Sequence, residues 1–82
     1  MKVYIVDDYP NDEIAGCYST LEKAQEKIIE LMKEEIALEP DDEDTVTFYT
    51  NKIKEIKTLK TVEETNILVE DYYMITEREF DK

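Results

Sequence analysis

Histidine is absent from this 82-residue chain, and glycine and cysteine each occur only once. Without histidine, the chain lacks the usual general base near neutral pH and the commonest metal ligand. The single glycine, Gly16, excludes a glycine-rich phosphate-binding loop. The single cysteine, Cys17, excludes an intramolecular disulfide and a thiolate metal cage. These absences argue against catalysis, so we predict no enzyme activity, no cofactor and no specific metal site.

Long apolar runs are also missing. No stretch approaches the roughly 20 apolar residues that a membrane-spanning helix needs. The opening segment MKVYIVDDYP lacks the apolar core of a signal peptide and soon becomes acidic. An anionic bilayer surface would also repel so acidic a chain. We therefore expect a cytoplasmic protein without a membrane partner.

Positive charge is scarce relative to negative charge. The chain holds 22 Asp or Glu residues against 10 Lys or Arg residues, which gives a formal net charge of −12. Residues 1–44 hold 14 acids and 4 bases, whereas residues 45–82 hold 8 acids and 6 bases. Like charge concentrated in one half of a small domain repels itself and lowers its stability. The simplest reason to keep such a surplus is a basic partner.

Two short β-strands are predicted in the first part of the chain. Lys2–Asp8 has β-forming residues on both faces, which is typical of a central strand covered at least partly on each side. Glu13–Tyr18 is predicted to form a second strand, with Gly16 at a bulge or a close packing contact. Cys17 should be a small buried hydrophobe in this strand rather than a reactive thiolate.

An amphipathic helix is the clearest local feature. Ser19 and Glu22 have the spacing of a capping box, in which the Ser19 hydroxyl accepts from an amide of the first turn. Ser19 is therefore interpreted as a helix cap rather than as a nucleophile. Apolar residues then recur at mostly three- and four-residue spacing, which predicts a helix to about Ala37. Pro40 prevents its continuation.

The second half of the chain is less distinctive. Glu39–Asp44 is predicted to be an acidic loop, and Thr45–Thr50 a strand because it is rich in Thr, Val and aromatic residues. Asn51–Glu64 fits either a short helix or an alternating strand, and we favour an extended arm with a hairpin turn at Glu63–Asn66. Asn66–Thr76 is predicted to be the final strand, and the last six residues should fray.

These elements predict a single small acidic α+β domain over residues 1–82. One long amphipathic helix should pack on a mainly antiparallel sheet of three to five strands. A hydrophobic content of 41% is sufficient for a core. The predicted core residues are Val3, Ile5, Leu21, Ala24, Ile28, Leu31, Met32, Phe48, Val69 and Tyr73.

Acidic residues follow a regular spacing on the predicted helix. Because an α-helix rises about 1.5 Å per residue, glutamates at every fourth position form a line with about 6 Å between neighbours. Such like charges cost roughly 0.2–0.5 kcal/mol per pair, so the line works against its own helix. We call Glu22, Glu26, Glu30 and Glu34 the carboxylate row. The predicted acidic loop adds Asp41, Asp42, Glu43 and Asp44.

Two interpretations of these acids remain open. They form either a solvated helix face in an acidic protein or a surface that imitates a phosphate backbone and occupies a nucleic-acid-binding channel. Direct nucleic-acid binding is disfavoured by the same negative charge. One basic strip could touch phosphates, although pairing with the acidic half is favoured. It consists of Lys52, Lys54, Lys57 and Lys60.

Several segments resemble a family of short uncharacterised phage and bacterial proteins. The similar features are the Lys-Val-Tyr strand, the segment IAGCYSTLEKAQEKI and VEDYYMI near the end. The resemblance covers residues 2–36, covers residues 67–75 loosely, and makes residues 38–66 an insertion. The family implies no activity. Its association with phages implies an interaction or inhibitor role, which for this chain would place it in the cytoplasm of a host cell.

Together these features predict a non-enzymatic binding protein. We expect a phage-type inhibitor that presents the carboxylate row and the acids of 41–44 to a basic protein, as a nucleic-acid mimic. The partner would be a nucleic-acid-binding host or defence protein. The alternative is an adaptor or regulatory module that binds through a Tyr-rich apolar face around Tyr9, Tyr49 and Tyr72. A homodimer remains open.

Overall fold

Three helices and one three-stranded antiparallel sheet make up the fold in the computed structural model, which describes residues 1–79. The predicted α+β architecture is confirmed, with an 18-residue helix as its longest element. Two further helices occupy the middle of the chain. The elements in chain order are β1 (Lys2–Asp8), β2 (Glu13–Tyr18), α1 (Leu21–Leu38), α2 (Glu43–Ile56), α3 (Val62–Val69) and β3 (Tyr73–Glu79).

The sheet has the strand order β2-β1-β3, so β1 is the central strand, as predicted. Side chains alternate between the faces of a strand, and Val6 and Asp8 point into the helical layer, where both are buried. Val3 and Ile5 point to the other face, which no element of residues 1–79 covers. They are half-buried, so their assignment to the core is wrong.

A β-bulge interrupts the pairing of β1 with β2. Val6 lies opposite Gly16 and Asp7 lies opposite Ile14, which leaves Ala15 as the extra residue of β2. A Cβ atom added to Gly16 would lie 2.5 Å from the Tyr18 hydroxyl oxygen. Both predicted reasons for a glycine here, the bulge and the close contact, are therefore confirmed.

Helix α1 begins one residue later than the predicted capping box requires. Thr20 is the N-cap, and its Oγ1 accepts from the Lys23 backbone N–H at 3.1 Å. Ser19 Oγ is instead 3.5 Å from Lys23 Nζ. Since Thr20 has the extended backbone of an N-cap, the Ser19–Glu22 box is wrong by one position. The helix ends at Leu38, two residues before Pro40, close to the predicted end.

Helix α2 replaces the predicted strand Thr45–Thr50, which is wrong. The acidic loop is shorter than predicted because the helix begins at Glu43, where Asp42 Oδ1 accepts from the Thr45 backbone N–H at 3.2 Å. The composition of this segment favours a strand, but its apolar residues recur at helical spacing, and the last two turns of α2 bury their apolar side. These residues are Val46, Tyr49, Ile53 and Ile56.

Helix α3 replaces the predicted hairpin at Glu63–Asn66, and the extended arm over Asn51–Glu64 is also wrong. Thr61 caps this helix, with its Oγ1 accepting from the Glu64 backbone N–H at 3.1 Å. Asn66 is helical, so the predicted final strand starts too early. Strand β3 runs over Tyr73–Glu79, and Glu77–Glu79, expected to fray, pair with β1. Residues 80–82 of the predicted frayed end lie outside the described residues.

The core lies between the inner face of the sheet and the helices. Five predicted core residues are buried: Ala24, Ile28, Met32, Val69 and Tyr73. Leu21 and Leu31 are partly buried against them. Phe48 is 40% exposed, so its assignment to the core is wrong, because the next residue of α2, Tyr49, points inward instead. The buried hydrophobic residues not predicted are Val6, Ile29, Tyr49, Ile56 and Ile75.

Candidate functional site

The carboxylate row lies on the solvent side of α1. The opposite side of this helix packs into the core through Ala24, Ile28 and Met32, which fixes the direction in which the glutamates point. All four members of the row are exposed. Their spacing along the helix axis is about 6 Å, so the row extends over about 18 Å.

One member of the row forms an ion pair. Lys27 Nζ lies 3.2 Å from Glu30 Oε1, and this hydrogen bond raises the pKa of Lys27. Such a pair on an exposed helix surface contributes little to stability. Within residues 1–79, Glu22, Glu26 and Glu34 form no ion pair. Three of the four carboxylates in the row are therefore available to an incoming cation.

The acids of 41–44 have a structural role that the sequence interpretation missed. Asp42 caps α2, and the hydrogen bond from the Thr45 backbone N–H lowers the pKa of Asp42. Glu43 and Asp44 occupy the first turn of α2, where negative charge is favourable beside the helix N-terminus. All of 41–44 are exposed. The presence of Asp42, Glu43 and Asp44 is nevertheless explained by their favourable effect on α2, with no need for a binding partner.

A groove of about 460 Å³ lies between the end of α1 and the start of α2. Three carboxylates line it, those of Glu35, Glu39 and Asp44, together with Thr45 and aromatic rings. Phe48 and Tyr72 meet edge to face, with ring centroids 5.7 Å apart. We call this the aromatic groove. Carboxylates combined with ring faces favour a cationic side chain.

The three tyrosines of the alternative interpretation do not form one exposed surface. Tyr49 and Tyr72 lie together, with ring centroids 6.0 Å apart, but Tyr49 is only 8% exposed. Burial, and then the nearby carboxylate of Glu35, raise the pKa of Tyr49. Tyr9 lies at a different place, where its hydroxyl donates to Met74 Sδ at 3.0 Å.

The basic strip is divided between two locations. Lys52 Nζ donates to the Leu68 carbonyl at 2.8 Å and lies 4.8 Å from the centroid of the Phe48 ring. This lysine therefore links α2 to the end of α3 rather than pairing with an acid. Lys57 and Lys60 line a second groove, of about 440 Å³, with Glu22 and Glu26 also in its lining. Across the described part of the chain, neither lysine comes within 4.0 Å of a carboxylate oxygen.

Cys17 is exposed, so the prediction that it is buried is wrong. It pairs with Ile5 and shares the uncovered face of the sheet with it. At the end of β1, Asp8 is 2% exposed, and its Oδ2 accepts from Asn11 Nδ2 at 2.8 Å. No group of three or more Cys, Asp or Glu residues among residues 1–79 is arranged to hold a metal ion.

The chain matches no protein-family model, no curated protein and no solved structure. The resemblance to short phage and bacterial proteins therefore stays a prediction. In residues 1–79, no helix combines the length and the apolar character needed to cross a membrane.

Proposed function

We propose that this protein acts by binding and presents the carboxylate row of α1 to a basic surface on another protein. The observation that carries the proposal is that Glu22, Glu26 and Glu34 are exposed along one helix and without an ion pair in the described residues. A helix face that is only solvated gains no stability from glutamates at every fourth position, because the repulsion between neighbouring carboxylates destabilises α1. A basic partner would convert that repulsion into attraction.

The narrower form of the proposal is nucleic-acid mimicry. A basic channel obtains most of its non-specific affinity for nucleic acid from charge, so a line of carboxylates on a rigid helix can compete for it. The partner in this form is a nucleic-acid-binding host or defence protein, and the chain is an inhibitor of the phage type. The same negative charge opposes direct contact with nucleic acid.

The aromatic groove gives the proposed partner a place for one cationic side chain. Glu35 lies in the last part of α1 and Glu39 is its C-cap, so the groove continues the negative surface beyond the row. Phe48 and Tyr72 supply ring surface, which an arginine guanidinium contacts more favourably than a hydrated ammonium does. The adaptor alternative has less support, because Tyr9 lies apart from Tyr49 and Tyr72 and Tyr49 is buried.

A labelled oligoarginine peptide tests the proposal by fluorescence anisotropy. The wild-type chain should bind it with an affinity that falls steeply as salt rises. The double variant E26K/E30K should weaken binding at least about 10-fold, because it reverses the centre of the row. The matched control E55K/E70K makes the same change in net charge at two exposed glutamates outside the row. An equal loss of affinity in both variants would mean that net charge alone governs binding. That result would refute a specific role of the carboxylate row.

Displacement of DNA tests the mimicry separately. A labelled DNA duplex is bound to a non-specific basic DNA-binding protein, and the chain is then titrated into the complex. The wild-type chain should release the duplex, and E26K/E30K should release far less. If the chain binds oligoarginine but leaves the duplex in place, the nucleic-acid-mimic form is wrong and the basic-partner form stands.

A further inference from the structure

The sheet face opposite the helices is apolar and uncovered within residues 1–79. Val3 and Ile5 of β1 are half-buried there, and Ile14 and Met74 from the two outer strands are 65% and 40% exposed. Cys17 lies in the same row as Ile5. We call this surface the open face. Apolar side chains from all three strands are accessible on this face, with Asp7 between Ile14 and Met74 in the ladder. Exposed apolar surface of this kind can serve as an interaction site.

The edges of the sheet are less available than its open face. Asn66 of α3 satisfies the outer edge of β3 at Ile75, since its Nδ2 donates to the Ile75 carbonyl at 2.9 Å and its Oδ1 accepts from the Ile75 N–H at 2.7 Å. On β2, the bulge at Ala15 disrupts the regular edge. Both features disfavour strand addition at these positions, whereas the open face is accessible for stacking.

Two charged residues sit at opposite ends of the open face. Asp7 lies opposite Met74 in the β1–β3 ladder, and Arg78 lies opposite Val3. These ladder positions are four residues apart, which corresponds to about 13 Å along the strands. Neither residue forms an ion pair in the described part of the chain. The open face is therefore an apolar surface with one negative end and one positive end.

We propose that the open face binds a second copy of this chain. A two-fold axis between the two sheets, perpendicular to the strands and level with Ile5, reverses the strand direction of the second copy. Asp7 of each copy then lies over the end that carries Arg78 of the other, and the apolar centres stack. Such an isologous contact forms the Asp7–Arg78 pair twice and places Ile5 of one copy against Ile5 of the other. It goes beyond the proposed function, because the carboxylate row stays outside the contact.

The distribution of charge favours this arrangement despite the net charge of −12. The carboxylate row lies on α1, on the helical side of the sheet, so the two rows face away from each other in the dimer. Lys2 and Glu77 also point to the helical side, where their charged atoms are 3.6 Å apart. The contact brings together the complementary pair of Asp7 and Arg78.

The size of the open face predicts a weak dimer. Three strands about 4.8 Å apart and about six residues long give a surface of roughly 14 by 20 Å. This is smaller than the roughly 800 Å² that each partner contributes to a stable protein–protein interface. We therefore expect a dimer that forms at high protein concentration and dissociates on dilution.

Sedimentation equilibrium of the full chain from about 20 µM to about 1 mM covers the range in which so small an interface associates. The wild type should show a monomer–dimer equilibrium, and Ile14→Glu should shift it to monomer. The matched control is Leu38→Glu, at a leucine that is 74% exposed at the end of α1, and it should dimerise like the wild type. A wild type that stays monomeric throughout, or an Ile14→Glu variant that still dimerises, would overturn the proposal; the first result would assign the open face to a different protein.

A charge swap tests the relative orientation of the two copies. Asp7→Arg and Arg78→Asp should each weaken the dimer by about 3- to 10-fold, because each places like charges opposite one another. They change the net charge in opposite directions, so self-repulsion alone would not weaken both. The double variant D7R/R78D should recover the wild-type association within about 2-fold. A double variant as weak as the single variants would overturn the two-fold arrangement.

Discussion

Gln25 of α1 and Thr65 of α3, 40 residues apart in the chain, form a buried hydrogen bond. Gln25 Nε2 donates to Thr65 Oγ1 at 2.9 Å and also to the Leu59 carbonyl at 3.2 Å. Thr65 Oγ1 in turn donates to the Thr61 carbonyl at 2.9 Å. Thr65 is fully buried and Gln25 is 8% exposed, so this network attaches α3 and its preceding turn to α1.

Thr65→Val should therefore lower the free energy of unfolding. Valine keeps the shape of threonine but removes the acceptor for Gln25, which leaves part of a buried amide unpaired and costs about 1–2 kcal/mol. Urea unfolding measures the change. The control Thr47→Val replaces an exposed threonine of α2 and should stay within about 0.5 kcal/mol of the wild type. Equal stabilities of the two variants would contradict a structural role for the network.

The elements specified by local signals could be predicted from the sequence. Strands β1 and β2 follow from alternation, and α1 follows from its apolar spacing and from Pro40. The cap was misplaced by one residue because Ser19 and Thr20 are both good caps, and only the backbone decides between them. The spacing of apolar residues therefore predicts that a helix or strand exists more reliably than it predicts the residue at which that element begins.

Helices α2 and α3 could not be predicted as easily, because tertiary packing outweighs the β-forming composition of 45–50. The missed signals were two caps, Asp42 three residues before Thr45 and Thr61 three residues before Glu64. The exposure of the carboxylate row was predicted correctly, since it depends only on α1. The aromatic groove was not predicted, because it needs α2 as a helix to bring Phe48 beside Glu35.

Gly16→Ala should destabilise the fold through Tyr18. The new methyl group would meet the end of the Tyr18 ring, with the nearest atom 2.5 Å away, and the ring would have to move. We expect a loss of about 1–2 kcal/mol in the free energy of unfolding, as for other overpacked sites. In a Tyr18→Ala background the same change should cost less than about 0.5 kcal/mol, because the obstacle is gone. A cost that is identical in both backgrounds would place the strain in the backbone instead.

The Asp42 cap predicts a dependence of stability on pH. The Thr45 backbone N–H lowers the pKa of Asp42 from its usual value of 3.8. The pKa in the folded state is thus below that in the unfolded state, so the cap stabilises fully above 3.8 and weakens as pH falls through the lowered value. Asp42→Ala should lower Tm at neutral pH, and the difference from wild type should shrink in acid.

The control for the cap is Asp41→Ala, at the neighbouring exposed residue that does not cap α2. It should change Tm little at any pH. Thermal unfolding followed by circular dichroism from pH 7 down to about pH 2 follows this loss of stabilisation. If Asp42→Ala and Asp41→Ala had the same Tm at neutral pH, the hydrogen bond to Thr45 would not stabilise α2.

Salt should raise Tm. The net charge is −12, and the ion pairs found in residues 1–79 lie at exposed positions, as for Lys2 with Glu77. Sodium chloride screens the repulsion between the acids more than it weakens these few pairs. The rise should be smaller for E26K/E30K, which is less negative. A Tm that falls with salt would mean that internal pairing of the acids outweighs their repulsion.

The most direct measurement of the central claim is a two-dimensional NMR titration of the isotope-labelled chain with the oligoarginine peptide. The proposed function predicts that the largest shift changes follow the solvent side of α1, from Glu22 to Glu34, and extend to Phe48 and Tyr72 in the aromatic groove. Changes of equal size at Glu55, Glu63 and Glu70, outside both surfaces, would contradict the account, because any exposed acid would then serve equally well.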